Sequence, residues 1–477
     1  MAKRPGGFGL ALPARDPAAP AYRWLYGALR AAILDGQLRP GARLPSTRDL
    51  AAQYHLARGT IVAAFAQLTA EGYVDGTVGS GTYVSAVLPD ALLHVEPRAN
   101  ARTAPRPRAR HLSRYAGRVR AFPPLEIRPS RAFRPNVPAL DQFPMALWTQ
   151  LAARRLRRAS TSLLLGCDGL GYPPLRAAVA DYLATSRGVS CHPDQVLIVA
   201  GVQEALDLVS RILLDPGDRV ALEDPGYMGA KIIFDAAGAR VLSVPVDDEG
   251  AVLRPSRLRG ARLVYLTPAH QCPLGVVTSL PRRLAWLEWA QSTGAFLFED
   301  DYDSEYRYSG RPIPALQGLD RGGQVIFAGS FSKVLFPSLR LGYLVVPPDL
   351  VDRFTAARTQ IHRHRPLLEQ TILSDFITEG HFGRHLRRMR QLYAERLSVL
   401  LEGAQQHLAG MLELSPIEAG LQTIGYLADG ISDAAAAESA RARGVEVTAL
   451  HRYYRGPMPR HGLILGFATI PPRDIRR

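Results

Sequence analysis

The sequence predicts two domains of different architecture, a small helix-turn-helix domain with a β wing and a larger α/β domain. Three observations support this prediction. The chain has 477 residues, which is too long for a single hydrophobic core. Its first part is helical and punctuated by tight turns, whereas from about residue 130 short apolar runs alternate with amphipathic segments. An arginine- and proline-rich stretch lies between the two parts.

The predicted boundaries are residues 15–85 for the first domain, 86–128 for a linker and 129–477 for the second domain. The linker carries eight arginines between Arg98 and Arg120 with no acidic residue among them. Proline and like-charge repulsion both oppose a packed core there, so an extended tether is expected.

Positive charge is concentrated at the front of the chain. Residues 1–120 hold 17 Lys or Arg against 7 Asp or Glu, and the whole chain has a net charge of +15. A basic region suits a polyanionic partner, because each cation near a phosphate displaces a condensed counterion. An arginine-rich composition with no such partner would give the same count, so charge alone does not decide between the two.

Bulk composition indicates a soluble cytoplasmic protein that does not bind membranes. The chain is 47% hydrophobic and 21% charged, no apolar run is long enough to span a bilayer, and the start MAKRPGGFGLALPARDP lacks a signal-peptide core. Cys167, Cys191 and Cys272 have no paired spacing. Buried reduced thiols are therefore expected, with neither a disulfide nor a metal site.

The helices of the first domain are indicated by their apolar faces and caps. One face of the first helix consists of Leu25, Ala28, Leu29, Ala32 and Ile33. Gly36 suits its C-cap, Ser46 can cap the second helix, and Asp49 completes a capping-box pattern. A break at residues 54–57 precedes a third helix that ends near Gly72.

The third helix opens with Arg58, Gly59 and Thr60, which is typical of a helix-turn-helix recognition helix. The small Gly59 would let the amino end approach the DNA groove, where Arg58 and Thr60 reach bases or phosphates. The following YVDGTVGSGTYV alternates around glycines and suits a two-stranded wing. The alternative is a helical bundle that only mediates assembly.

The run from Leu25 to Val84, with PGARLPSTRDLA, RGTI and LTAEGYV, resembles the winged helix-turn-helix of GntR-type bacterial regulators. The resemblance implies binding to an operator in double-stranded DNA, with Gly79–Gly81 at the wing tip. The DNA contacts that it implies are Arg43, Ser46, Arg48, Arg58 and Thr60.

In the second domain, six short runs predict strands: QVLIVA, DRVALE, RLVYLT, AFLFE, QVIFA and LGYLVV. Most are separated by amphipathic segments. This alternation predicts a mainly parallel sheet, which binds ligands at the carboxyl ends of its strands.

The segment AGSFSKVLFPSLRLGY, residues 328–343, contains a lysine in a phosphate-binding setting. An amine such as that of Lys333 forms a Schiff base with an aldehyde cofactor once desolvation lowers its pKa. Hydroxyls, a cation and a helix amino end can hold a phosphate. The residues that offer them are Ser330, Ser332 and Arg340, together with Gly201, Val202 and Gln203 after QVLIVA.

Three further side chains suit an aromatic cofactor ring. Asp300 and Tyr302 follow the strand AFLFE; the carboxylate can keep a pyridine nitrogen protonated, and the hydroxyl can contact a phenolate oxygen. Tyr227, in EDPGY, can stack on the ring. Each signal alone is weak, because a lone lysine is usually solvated, an Asp-Asp pair is usually a cap and a tyrosine is usually core. Their order along the chain, each after a predicted strand, favours a cofactor site.

From about residue 130 to the end, the chain resembles the fold-type I, aspartate-aminotransferase-like pyridoxal phosphate domain. The matching motifs are GYPPLRAAVADYL, GVQEALDL, EDPGY, TPAHQCPLG, EDDYDSEYRY, PIPALQ and GSFSKVLFPSLRLGY. Joined to a GntR-type reader, such a domain is similar to MocR-type regulators, which implies a homodimer. The resemblance assigns the internal aldimine to Lys333, the ring nitrogen to Asp300, the phenolate oxygen to Tyr302, stacking to Tyr227, and the phosphate to Ser330, Arg340, Val202 and Gln203.

The sequence departs from the aminotransferase pattern in three places. Cys272-Pro273-Leu274-Gly275 stands where Asn-Pro-Thr-Gly is usual, so the asparagine contact to the phenolate oxygen is absent, and His270 or Gln271 could substitute. Ile464 stands where enzymes place an arginine that binds the substrate carboxylate. Nearby Arg452, Arg455 or Arg460 could take that role, or no carboxylate binds. The chain also stops at DIRR, early for this family, so a final helix is expected to be missing.

Three functional hypotheses remain. The favoured one is a transcription regulator that binds pyridoxal 5′-phosphate on Lys333 and senses an amine, an amino acid or a B6 vitamer, with no efficient turnover. The second is an active aminotransferase with an appended DNA-binding domain, since fold does not dictate function. The third is a DNA-binding protein whose large domain serves only for dimerisation and binds no cofactor.

Overall fold

The computed structural model describes residues 12–15, 20–77, 81–89, 111–122, 132–308, 310, 313–415 and 417–476. The chain divides into two compact units, Met1–Arg110 and His111–Arg477, and each has its own hydrophobic core. This division falls inside the predicted 86–128 linker, most of which lies outside the described residues, as do Gly79 and Ser80 of the predicted wing tip.

In the described part of the smaller unit, three helices precede a two-stranded antiparallel ribbon. They are α1 (Ala21–Leu34), α2 (Thr47–Gln53) and α3 (Arg58–Ala70), followed by β1 (Val74–Thr77) and β2 (Gly81–Val84). Helix α1 buries the same five residues that were predicted to form its apolar face. Ser46 caps α2 as predicted: its Oγ accepts from the Asp49 amide at 3.2 Å and donates to the Asp49 carboxylate at 2.7 Å.

The larger unit is built on a mixed sheet, in which the described residues form eight strands in the order β3-β10-β9-β8-β7-β4-β5-β6. Their bounds are β3 (Val196–Val199), β4 (Arg219–Asp224), β5 (Arg240–Asp247), β6 (Gly250–Ala251), β7 (Ala261–Leu266), β8 (Phe296–Asp301), β9 (Val325–Ser330) and β10 (Gly342–Val345). All six predicted strands are present. Neighbours among β5, β4, β7, β8 and β9 are parallel, and β10 is antiparallel to both β3 and β9.

Helices cover both faces of this sheet. Alternate residues of β3 belong to different core clusters, Val196 and Ile198 to one and Leu197 and Val199 to another. Strands buried on both faces become continuous apolar runs, which is why the sequence revealed them. The helices of the described part of this unit are α4 (Arg114–Arg118), α5 (Met145–Arg157), α6 (Thr161–Leu165), α7 (Pro173–Arg187), α8 (Val202–Leu213), α9 (Met228–Ala237), α10 (Leu280–Thr293), α11 (Leu316–Leu319), α12 (Phe331–Val334), α13 (Val351–His362), α14 (Leu368–Thr378), α15 (His381–His407), α16 (Asp433–Ala442) and α17 (Pro472–Ile475).

A second, antiparallel sheet near the carboxyl end was not predicted. Within the described residues it has four strands in the order β11-β12-β14-β13. They are β11 (Leu412–Leu414), β12 (Gln422–Leu427), β13 (Thr448–Ala449) and β14 (Gly462–Gly466). This sheet carries Ile464.

The three cysteines are free thiols, but only Cys272 is buried, whereas Cys167 and Cys191 are partly exposed, in contrast to the prediction that all three are buried. Throughout the described ranges, no helix combines the length and the apolar character needed to cross a membrane. The described residues also contain no group of three or more His, Cys, Asp or Glu placed to hold a metal ion.

Candidate functional site

The predicted cofactor residues lie where the strands of the large sheet end. Asp300 is in the last pair of residues of β8, Ser330 is the last residue of β9, Gly201 follows β3 and Tyr227 follows β4. These strands run parallel to one another, so their carboxyl ends meet at one edge of the sheet. Lys333 lies on α12, immediately after β9.

Lys333 points its amine into this edge. Its Nζ donates to the backbone carbonyl of Asn136 at 2.9 Å. Desolvation by the surrounding protein lowers the pKa of the amine, and the nearby groups of Asp303, Cys272 and Asp300 act in the opposite direction. A lowered pKa increases the neutral fraction of the amine, which is the form that attacks a carbonyl carbon.

Asp300 is a buried carboxyl with one oxygen in use. Its Oδ2 accepts from the hydroxyl of Tyr265 at 2.6 Å, whereas its Oδ1 is buried with no partner among the described residues. Burial raises the pKa of Asp300 to about 7, against the opposing effect of the Tyr265 hydrogen bond. A cation placed against the free oxygen would stabilise the ionised form of Asp300 and lower this pKa. Tyr265 was missed from sequence, although its strand was predicted.

The predicted phosphate residues come together at the amino end of α8. Gly201 adopts φ 134°, and a Cβ at this position would lie 3.9 Å from both terminal nitrogens of Arg340 and 4.0 Å from Oε1 of Gln203. Gly201 therefore keeps the space between these side chains open. Ser330 caps α12 by accepting from the Ser332 amide at 3.2 Å.

Two groups at this end remain available. The hydroxyl of Ser332 is buried with no partner in the described part of the chain. The guanidinium of Arg340 makes no hydrogen bond or ion pair with any described residue, and Arg340 has a left-handed backbone, φ 50°. Backbone amides at an uncapped helix start, two hydroxyls and one guanidinium are groups that can bind an anion. Val202, the first residue of α8, could take part through its backbone amide.

Tyr227 is the N-cap of α9, and its ring is placed to stack. It lies 6.3 Å from the ring of Tyr265 at an interplanar angle of 27°. Its hydroxyl accepts from Nε2 of Gln203, which joins the ring to the phosphate end. Sequence analysis placed both residues in the site but did not predict their hydrogen bond.

Tyr302 lies beside two residues that form a buried pair. Its hydroxyl is 3.0 Å from Nδ1 of His270, and the same nitrogen is 2.9 Å from Oδ1 of Asp303. Burial raises the pKa of Tyr302 well above its usual value, so the phenol stays protonated. Asp303 was not predicted as a site residue, because nothing in the sequence says that two different loops bring it to His270.

The predicted position of the carboxylate clamp is apolar. Ile464 is fully buried in a cluster with Ile424 and Leu450. Arg455 donates to the backbone carbonyls of Leu222 at 2.7 Å and Glu223 at 3.0 Å, so its guanidinium is already committed.

The other two arginines near the clamp position differ in their contacts. Arg460 pairs with Glu413 at 2.7 Å and lies over the ring of Tyr426. Arg452 is exposed and forms no hydrogen bond or ion pair within the described ranges. Of the three candidates it alone has a guanidinium that no described group engages.

In the smaller unit, four predicted DNA contacts are exposed and Thr60 is partly exposed; the four are Arg43, Ser46, Arg48 and Arg58. Nε of Arg58 donates to Oγ1 of Thr47 at 3.4 Å, which joins the starts of α2 and α3. Arg43 lies against the wing, since a Cβ at Gly81 would be 2.9 Å from its Nε. No side chain caps α3, so the amides of Arg58 and Gly59 are open, whereas that of Thr60 donates to the carbonyl of Ala57 at 2.9 Å.

Comparison with known proteins gives the family. Residues 136–449 match the aminotransferase class I and II family, and residues 21–84 match the bacterial regulatory proteins of the gntR family. Over 97% of its length the chain is 41% identical to the probable rhizopine catabolism regulatory protein MocR of Rhizobium meliloti, 93% of which is covered. The chain belongs to the MocR-type regulators.

A second regulator and a solved enzyme structure are also similar to this chain. The pyridoxine biosynthesis transcriptional regulator PdxR of Corynebacterium glutamicum is 31% identical over 94% of this chain and 92% of its own. Among solved structures, the α-aminoadipate aminotransferase LysN of Thermus thermophilus superposes with a TM-score of 0.68 at 30% identity, over 76% of this chain and 94% of its own. MocR-type proteins therefore share the fold-type I architecture with enzymes.

Pyridoxal 5′-phosphate is the cofactor of this fold, and the residues present fit it. Asp300 offers a free buried oxygen for the ring nitrogen, Ser332 and Arg340 offer free donors for the phosphate, and Tyr227 offers a ring face. When bound, the cofactor supplies an electrophilic aldehyde on an electron-withdrawing ring. Asp300 and Tyr227 would hold that ring, and Lys333 would present its amine to the aldehyde.

Proposed function

We propose that the chain is a DNA-binding transcription regulator that holds pyridoxal 5′-phosphate on Lys333 and senses an amine, an amino acid or a B6 vitamer. The observation that carries the proposal is a site beside Lys333 with an unpartnered buried oxygen on Asp300 and an unpartnered buried hydroxyl on Ser332, in a chain whose first part matches DNA-binding regulators. The protein acts as a homodimer on double-stranded operator DNA in the cytoplasm.

The site supports sensing better than efficient transamination. An aminotransferase positions its substrate with an arginine on the carboxylate, and here Ile464 is buried at the corresponding place. Arg452, the one clamp candidate whose guanidinium no described group engages, is exposed, so it would hold a carboxylate less firmly than a buried arginine does. Bound amino acids then lose orientation at the reacting carbon, and orientation contributes much of the rate of such reactions. Binding and exchange at Lys333 need no such precision, so a ligand can still alter the occupancy of the site.

Sensing requires a route from the cofactor site to the segment that leads toward the DNA-binding unit. Helix α9 follows directly on Tyr227, its N-cap, and ends at Ala237, and α4, in residues 111–122, packs on its far end. Nε of Arg118 donates to the carbonyl of Ala236 at 3.1 Å, and the guanidinium lies against Gly238. Helix α9 is about 15 Å long, at 1.5 Å rise per residue. It connects Tyr227 to residues 111–122, at the start of the larger unit.

Replacing Arg118 with alanine should weaken this coupling without touching the cofactor. We expect the change in operator affinity on adding pyridoxal 5′-phosphate to the apo-protein to shrink to within about twofold, since allosteric couplings of 1–3 kcal/mol correspond to roughly 5- to 150-fold. Operator affinity with and without the cofactor is measured by fluorescence anisotropy, with the DNA duplex that binds most tightly in a selection from random sequences. Arg114→Ala, on the same helix and exposed, is the matched control. Equal coupling in all three proteins would exclude the α9 route.

Replacing Arg58 with alanine should reduce operator affinity about 5- to 150-fold, because a base or phosphate contact from arginine contributes about 1–3 kcal/mol. The dependence of operator affinity on salt concentration distinguishes a base contact from a phosphate contact. Loss of a phosphate contact reduces the slope of log K against log salt concentration by about one. Arg23→Ala removes an equal charge from an exposed position on α1 and serves as control. If the two variants bind the operator equally, α3 is not the recognition helix. Cofactor occupancy should not change in either.

A further inference from the structure

The asparagine that contacts the cofactor's phenolate oxygen in aminotransferases is replaced here by Cys272. Its thiol is buried, and burial together with the nearby carboxyls of Glu223, Asp300 and Asp303 raises its pKa, so it remains a neutral and weak hydrogen-bond donor. The phenolate oxygen of the cofactor therefore depends on the hydroxyl of Tyr302 for a hydrogen bond. Because this hydroxyl has a single proton, it can donate to the cofactor only if that proton is not donated to another group.

Gln271 is not available to replace the asparagine. Its Nε2 donates to the carbonyls of Pro225 and Cys272, both at 2.8 Å, and its Oε1 accepts from the Leu274 amide at 3.0 Å. The side chain is fully buried and holds the turn between β7 and the cis peptide before Pro273. Of the two substitutes that the sequence left open, only His270 remains.

His270 meets a carboxylate and a phenol at the same nitrogen. Nδ1 lies 2.9 and 3.1 Å from the two oxygens of Asp303 and 3.0 Å from the oxygen of Tyr302. An imidazole nitrogen carries either one hydrogen or one lone pair, and a carboxylate only accepts. Next to Asp303, Nδ1 must therefore carry the hydrogen. Tyr302 then cannot donate to it, and the phenolic proton is directed elsewhere.

The other side of the ring supports this tautomer. Nε2 of His270 is buried with no partner among the residues described. A second hydrogen there would leave a charged donor unsatisfied, which costs more than an unmet lone pair. The ring also occupies a slot between two glycines: a Cβ at Gly420 would lie 2.1 Å from Cε1, and a Cβ at Gly275 would lie 3.1 Å from Nε2. The space between the two glycines fits an imidazole ring and restricts its rotation.

We propose that His270 and Asp303 are positioning residues that direct the Tyr302 proton toward the phenolate oxygen of the cofactor, and so replace the asparagine of aminotransferases. This inference rests on the proposed function, since it needs the cofactor to bind beside Lys333. The other titratable groups around Tyr302 are Asp300, Cys272 and Glu223, and Lys333 lies close to Asp303 and Cys272.

The first test follows the visible absorbance of the holoprotein with pH. In Asp303→Asn, the phenolate oxygen of the cofactor should lose its hydrogen bond from Tyr302. The apparent pKa of the pH-dependent change in absorbance should therefore rise by about one to two units. His270→Asn is the second variant, in case Asp303→Asn does not fold. Asp433→Asn changes another buried aspartate that contacts histidines, His451 and His461, both at 3.0 Å, and should leave the transition unchanged.

A double-mutant cycle separates positioning from a general structural effect. In a Tyr302→Phe background there is no proton left to direct, so adding Asp303→Asn should cause no further shift. A shift of equal size in both backgrounds would overturn the proposal, as would an unchanged transition in Asp303→Asn and His270→Asn.

A second measurement is independent of the cofactor. Nitrogen NMR of the labelled apo-protein, assigned by comparison with His270→Asn, should show a hydrogen on Nδ1 of His270 and none on Nε2. The opposite tautomer would overturn the inference. A protein that never takes up pyridoxal 5′-phosphate but shows the expected tautomer would instead contradict the proposed function, so the two failures are distinguishable.

Discussion

Replacing Lys333 with alanine is expected to abolish the visible absorbance of the cofactor-loaded protein and the mass adduct that borohydride leaves on it. The reason lies in the chemistry of the side chain: only an amine that can lose its proton forms a carbon–nitrogen bond to the aldehyde, and the pKa of this amine is lowered. Absorbance spectra and peptide mass spectrometry after reduction measure the loss. The effect should be complete, because no other described group at the site can replace the amine.

Composition sharpens this prediction. Of 58 basic residues, only three are lysines, at positions 3, 231 and 333, so this chain uses arginine almost wherever a positive charge suffices. Arginine cannot be deprotonated under these conditions and cannot form the bond. Lys231 forms an ordinary helical pair with Asp235 at 2.5 Å. Lys231→Ala is the matched control and should keep both absorbance and adduct. An imine absorbance or a borohydride adduct that survives in Lys333→Ala would mean that the cofactor is linked elsewhere.

The sequence predicted the elements that are buried on both sides and missed those that are not. All six strands found from apolar runs are interior to the large sheet or packed on both faces. Strand β5, RVLSVPVD, mixes exposed and half-buried residues and contains a proline, so its pattern did not indicate a strand. The strands of the second sheet are short, and β13 has two residues, too few to show an alternation.

Site residues could be predicted from the sequence where several of them belong to one continuous motif. Lys333, Ser330 and Arg340 share one run, and the DNA-binding residues share another. Contacts between segments were not predictable. Tyr265 is on a predicted strand, but its hydrogen bond to Asp300 depends on how β7 pairs with β8, and the Asp303–His270 pair joins two loops that are 33 residues apart. Sequence patterns report which face of an element is buried, not which neighbour it meets.

Replacing Asp300 with asparagine is expected to weaken cofactor binding about 200- to 5,000-fold. The carboxylate oxygen Oδ1 is buried and free, so an ionised Asp300 can pair with the protonated ring nitrogen, and breaking a buried charge pair costs about 3–5 kcal/mol. Asparagine keeps the shape and one acceptor but not the charge. Equilibrium dialysis against pyridoxal 5′-phosphate at pH 7.5 measures the loss. Glu299→Gln, a buried carboxyl on the same strand that accepts from the amides of Leu316 and Gln317, should leave the affinity unchanged.

The same substitution should act in the opposite direction on the apo-protein. In the folded state burial raises the pKa of Asp300 to about 7, above its unfolded value of 3.8, so between these values the folded state binds a proton that the unfolded state does not. Stability contributed by this group therefore falls as pH rises from about 4 to about 7, and the cost of the buried charge is fully present above pH 7. The asparagine side chain does not titrate. We expect Asp300→Asn to stabilise the apo-protein at pH 8 more than at pH 5.5, as measured by denaturant unfolding at both values. A variant that binds the cofactor normally would show that Asp300 does not face the ring nitrogen. An apo form that gains nothing at pH 8 would show that burial does not raise the pKa of Asp300. The opposite signs for apo and loaded protein are what a purely structural carboxyl could not produce.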